Sequence, residues 1–94
     1  MPRDARTVMS AFEAKGFSRR QGDHVFFHFF VNGKKTQIYT KVSHGEKEIH
    51  DGLLGTMARQ LRLTKKQMGE LVDCPLSQAE YVKILQDGGH ISKN

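Results

Sequence analysis

Apolar side chains recur at helical spacing in the first segment, at Ala5, Val8, Met9 and Phe12. Positions three and four apart share one face of a helix, so the pattern predicts an amphipathic helix over residues 4–15, with Asp4 at its start. Gly16 suits the left-handed position just past its end. The period then changes. Phe17 to Arg20 is a short candidate strand, Gln21-Gly22-Asp23 a turn, and His24 to Val31 (HVFFHFFV) a run of aromatic and β-branched residues with strand composition. Asn32-Gly33 is the favoured dipeptide of a type I′ hairpin, and Thr36 to Val42 (TQIYTKV) reads as the returning strand.

A two-residue hairpin loop places Val31 opposite Lys34, Phe27 opposite Ile38, Phe26 opposite Tyr39 and His24 opposite Lys41. Side chains alternate, so Val25, Phe27, Phe29, Val31 and Ile38 form the core face, while His24, Phe26, His28, Phe30, Tyr39 and Lys41 share the other. After the loop Ser43 to Glu48, a second helical stripe appears at Leu53, Leu54, Met57, Ala58 and Leu61, with Asp51 as N-cap and an end near Arg62. Both helices can cover one sheet face in an α-β-β-β-α order, leaving the opposite face open.

Two capping boxes follow. Thr64 pairs with Gln67 and Ser77 with Glu80, each with a hydrophobic staple, Leu63 with Met68 and Leu76 with Tyr81. They predict short helices near Lys65 to Asp73 and Gln78 to Gln86, separated by Pro75 and closed by Gly88-Gly89. The expected organisation is therefore α+β. Residues 1–63 form the α-β-β-β-α domain and residues 64–89 a helical extension packed on it, with a disordered tail over 90–94. Leu71, Val72, Tyr81, Ile84 and Leu85 should face the rest of the chain or a second copy in a homodimer.

A chain of 94 residues has room for one hydrophobic core, and 37% hydrophobic with 27% charged residues is the balance of a soluble globular protein. Fifteen Lys and Arg against ten Asp and Glu leave a net charge of +5, which attracts polyanions and points towards nucleic acid. The single cysteine, Cys74, can form no internal disulfide and has no zinc-site spacing around it, so it reads as packing in a reducing compartment. The start MPRDARTVMS carries an acid and lacks an apolar stretch. Neither an export signal nor a membrane span is expected, and the cytoplasm is the expected location.

The residues that carry chemistry cluster around Gly16-Phe17, Gly22-Asp23-His24-Val25-Phe26-Phe27, the loop His44 to Ile49 and Gly52-Leu53-Leu54. In this order they resemble the HicA toxins of toxin–antitoxin systems, over about Ala5 to Leu63. The resemblance implies a double-stranded-RNA-binding-like fold, cleavage of messenger RNA with His24 as the catalytic group, and a HicB-type antitoxin as the inhibiting partner. Two positions depart from the family: Asp23 stands where serine or threonine is usual, and no proline precedes the loop histidine.

Independently of the resemblance, an imidazole that titrates near neutral pH can take a proton from a 2′-hydroxyl or give one to a leaving oxygen, with no cofactor or metal required. Lys41, Arg19 and Arg20 can stabilise charge developing on phosphate. His44 is either a second acid–base group or a solvated loop residue, and His28 faces RNA or the antitoxin. Phe26, Phe30 and Tyr39 make either a stacking platform for unpaired bases or a protein interface. Lys34, Lys35, Lys41, Lys47, Arg59, Arg62, Lys65 and Lys66 come from separate segments and can merge into one phosphate-binding surface. Two other functions fit the sequence: an RNA-binding domain without catalysis, and a DNA regulator using Leu63 to Leu85 as a helix-turn-helix. The second of these would place Glu80 and Asp87 against a single Lys83 on its recognition helix.

Overall fold

In the computed structural model, which describes residues 3–73 and 75–92, a two-residue strand β1 (Arg3–Asp4) leads into helix α1 (Ala5–Ala14). Strands β2 (Phe17–Gln21), β3 (Val25–Val31) and β4 (Lys34–Val42) follow, then β5 (Glu48–Ile49), α2 (Asp51–Gln60), α3 (Lys65–Asp73) and α4 (Gln78–Asp87). The chain is thus a small α+β protein with a three-stranded antiparallel sheet ordered β2-β3-β4 and four helices. The pairing of β1 with β5, Arg3 opposite Ile49, has no counterpart in the hydrophobic pattern, because two residues are too few to show a period.

Asp4 caps α1, its carboxylate accepting the Arg6 amide at 2.9 Å. Gly16 ends the turn after α1 at φ +97°, and a Cβ there would meet the Gln78 side chain at 2.5 Å. The left-handed backbone is what favours glycine here, since the Gln78 amide is the end of a flexible side chain that can move aside. Beside it the buried Lys15 ammonium donates to the Leu76 carbonyl, and Arg3 pairs with the Asp73 carboxylate, Nη2 to Oδ2 3.0 Å. Both cations tie the start of the chain to the end of α3 and the turn after it.

The hairpin turn forms as expected, with Asn32 at φ 52° and Gly33 at φ 78°. The register differs from the expected one beyond the first two rungs. Val31 opposes Lys34 and Phe30 opposes Lys35, but a bulge in β4 then brings His28 opposite Tyr39, Phe27 opposite Thr40, Phe26 opposite Lys41 and Val25 opposite Val42. Thr36 makes the bulge. Its hydroxyl donates to the Phe29 carbonyl at 2.7 Å and accepts the Ile38 amide at 3.2 Å, replacing a ladder rung with side-chain bonds. Because the slip is by two residues, every side chain keeps its face.

Helix α2 also departs from expectation. Its N-cap is His50, whose Nδ1 accepts the Leu53 amide at 3.2 Å, and Asp51 is the first helical residue. It stops at Gln60 because Arg62 adopts φ 64°, and the Leu63 amide bonds back to Ala58 at 2.8 Å and that of Arg62 to Arg59 at 3.1 Å. This is a Schellman ending with arginine where glycine is usual. Both capping boxes of the tail are present and reciprocal.

One buried cluster holds Phe12, Phe27, Phe29, Ile38, Ile49, Met57 and Leu61 together with Met68, Leu71, Val72, Tyr81 and Leu85 of the last two helices. Phe12 packs on Phe17 and Phe27, and Tyr81 on Phe17 and Phe29, so α1 and α4 cover the same sheet face. The Tyr81 hydroxyl donates to the Leu61 carbonyl at 2.8 Å, and burial pushes its pKa well above the ordinary value. The apolar residues of α3 and α4 thus face the chain's own core, with Ile84 partly buried against it.

Residues 90–92, at the start of the tail expected to be disordered, make hydrogen bonds and packing contacts. The His90 amide donates to Leu85, its carbonyl accepts from Gln37, and Ile91 packs on the core. Lys93 and Asn94, and the packing role expected of Cys74, lie outside the described residues. Among the described residues no helix is long and apolar enough to cross a membrane.

Candidate nucleic-acid interface

Strands β2, β3 and β4 carry Arg19, Arg20, Lys34, Lys35 and Lys41 and not one carboxylate. Pairing sets these and the aromatic residues into rows on the face away from the helices. One row reads Arg20, Phe26, Lys41; the next reads Ser18, His28, Tyr39; Phe30 and Lys35 follow at the hairpin end. Lys41 therefore flanks Phe26 and does not oppose His24.

His24 lies in the turn just before β3, not within the strand. Its carbonyl accepts the Gly22 amide at 2.9 Å, which closes the turn, and its Nδ1 stands 3.8 Å from an Asp23 carboxylate oxygen. The imidazole is about one-third exposed and packs edge-on to Phe26 at 6.3 Å. An imidazole is so held at the rim of the open face, reachable from solvent. His44 reaches the same turn from the loop after β4. Its Nε2–H donates to the Gly22 carbonyl at 2.7 Å, so the loop after β4 braces the turn that carries His24.

From His24 a continuous aromatic ladder crosses the face. Phe26 and His28 stack at 6.2 Å, and His28 and Tyr39 at 5.2 Å with 22° between their planes. Burial lowers the His28 pKa below its ordinary value, and the charges of Lys35 and Arg20 push the same way. Tyr39 ends the ladder at 48% exposure, the one exposed large hydrophobic side chain among the described residues. Its ring also lines a groove with Arg59, Gln60 and Arg62 of the α2 end.

The sequence-derived set thus divides. Arg20, Lys35, Tyr39 and Lys41 share the open face beside His24. Arg19 points to the other side, its guanidinium 5.9 Å from the Phe27 ring centre, and shares a cleft with Lys47 and the acids Asp4, Glu46 and Glu48. Lys34 sits at the hairpin end beside Ile91. His28, at the centre of the ladder, and the two arginines beside Tyr39 complete the surface. Alternation places His28 on this face, but only the bulge in β4 sets it on Tyr39. No group of three or more metal-binding side chains is present among the described residues.

Comparison of this chain with protein-family models, with curated proteins and with solved structures finds no significant match.

Proposed function

We propose that this chain is a cytoplasmic RNA-binding ribonuclease of the HicA toxin type, with a double-stranded-RNA-binding-like arrangement. It cleaves messenger RNA and is silenced by a HicB-type antitoxin that covers the same face. The observation that carries this reading is the carboxylate-free open face of β2–β4, where Arg20, Lys35 and Lys41 flank an aromatic ladder with His24 at its rim. Cations there attract the phosphate backbone, and the rings accept bases.

The chemistry asked of His24 is proton transfer. As the 2′-oxygen of a ribose forms a bond to the adjacent phosphorus, the bond from phosphorus to the 5′-oxygen breaks. An imidazole at the rim takes the 2′-hydroxyl proton or supplies one to the departing oxygen, with solvent exchanging the other. Lys41 and Arg20, one row in from His24, offset the added charge on the phosphate oxygens. No metal is needed for these steps. The tail helices favour this reading over a DNA regulator, because α4 exposes Glu80 and Asp87 with a single Lys83, a poor surface for a phosphate-lined groove.

The test is a labelled messenger RNA incubated with purified protein in the presence of a chelator. The native chain is expected to cut it, leaving a 2′,3′-cyclic phosphate and a free 5′-hydroxyl. His24→Ala should fold normally and reduce cutting by roughly a hundredfold or more, the scale of a lost acid–base group. RNA held but never cut by the native chain leaves binding without catalysis; cutting undiminished in folded His24→Ala removes this residue from the mechanism.

A further inference from the structure

We infer that the groove between Tyr39 and the C-terminal end of α2 is a binding site for one unpaired nucleotide. It extends the aromatic face past the sheet edge and makes the preferred ligand single-stranded. This inference rests on the reading of the chain as an RNA binder. The groove is open, about 340 Å³, and lined by Gln37, Tyr39, Thr56, Arg59, Gln60 and Arg62.

Four features of these residues match the parts of a nucleotide. Tyr39 is half exposed, and its ring is supported by the stacked His28 at 5.2 Å, so a flat surface is held ready for a base without being free to fold away. Gln60 is oriented from beneath: its Oε1 accepts the buried Thr40 hydroxyl at 2.6 Å, which leaves its NH2 to donate. Gln37 is oriented oppositely, its Nε2 donating to the His90 carbonyl at 3.4 Å, which leaves its oxygen to accept. A fixed donor and a fixed acceptor beside a stacking ring are the complement of a base edge.

The cations complete the site. The Arg59 guanidinium donates to the Thr56 hydroxyl at 3.4 Å, and among the described residues neither Arg59 nor Arg62 is paired with a carboxylate. Their guanidinium groups are exposed and suited to bidentate contact with a phosphate. A base in a duplex is already stacked and paired, so it can reach the Tyr39 ring only by leaving the helix, at a cost of several kcal/mol of unstacking and unpairing.

The experiment measures binding of a short 2′-O-methyl oligoribonucleotide, which lacks the attacking hydroxyl and stays intact, as a single strand and annealed to its complement. The native chain is expected to prefer the single strand. Tyr39→Leu should weaken single-strand binding about tenfold, the scale of one lost base stack, and Tyr39→Phe should leave it nearly unchanged. Arg59→Gln should lower the salt dependence by about one phosphate contact. Both sites are exposed, and unchanged thermal melting of the variants confirms the fold. Strong native binding with no loss in Tyr39→Leu, or an equal loss for duplex and single strand, overturns the groove while leaving RNA binding standing. No binding of either ligand by the native chain overturns both.

Discussion

His28 has a ring on either side, Phe26 at 6.2 Å and Tyr39 at 5.2 Å, and its protonation is disfavoured first by burial and then by the charges of Lys35 and Arg20. Its lowered pKa carries a consequence for stability. Above about pH 6.5, the ordinary value, the ring is neutral in both folded and unfolded chains. As the pH falls, the unfolded chain takes the proton first. The contribution is therefore present above about pH 6.5 and lost as pH falls through the lower folded value. The expected outcome is a thermal midpoint that declines on the acid side of neutrality, with a shallower decline in His28→Gln. Titration of the His28 ring protons by NMR should give a midpoint below that of a free histidine. A midpoint at or above the ordinary value contradicts the stacked, cation-flanked environment described here.

At the scale of elements, α3 and α4 show how local and tertiary forces divide the work. Reciprocal caps at Thr64–Gln67 and Ser77–Glu80 specify where each helix begins. Helices of nine and ten residues are nevertheless marginal alone, so they depend on the surface they cover. Met68, Leu71, Val72, Tyr81 and Leu85 are all buried, and at roughly 2 kcal/mol per side chain their burial contributes about 10 kcal/mol, comparable with the whole stability of a small protein. Ending the chain at Thr64 should therefore abolish cooperative melting or drive association through the uncovered Phe17 and Phe29. A shortened chain that melts as a monomer at the native temperature means that the first 64 residues hold a sufficient core without α3 and α4.

Across the whole molecule the cations are spread over both sides, but the carboxylates avoid the strands of the sheet. None of the ten carboxylates implied by the composition lies in β2, β3 or β4. Asp23 occupies the turn between β2 and β3, while Glu70, Asp73, Glu80 and Asp87 sit on the last two helices. A molecule of net charge +5 arranged this way turns its basic sheet face to an approaching polyanion. With three to five phosphate contacts from Arg20, Lys35, Lys41, Arg59 and Arg62, single-strand affinity should fall with a log–log salt slope of about −2 to −3.5. Lys41→Ala should flatten that slope by about one contact, read from binding isotherms at several salt concentrations. Affinity independent of salt contradicts a phosphate-binding face.

The elements of this protein are legible in its sequence where a local cause acts alone. The change of period from Phe12 to Phe17, the Asn32-Gly33 turn and the two capping boxes each depend on neighbouring residues, and each appears where its spacing predicts. The faces of the strands are legible for the same reason, since alternation is a property of the backbone and a two-residue slip preserves it. What the tertiary structure decided is which residues meet. Thr36 satisfies the Phe29 carbonyl and shifts the register, so Tyr39 stacks on His28 rather than opposing Phe26, and Lys41 leaves His24 for Phe26. Arg62 ends α2 in a left-handed conformation that glycine usually takes, which leaves Arg59 and Arg62 beside Tyr39. His44, separated from Gly22 by two strands, braces the turn of His24. Such pairings arise from packing and hydrogen-bond satisfaction among residues distant in sequence, which no local pattern encodes.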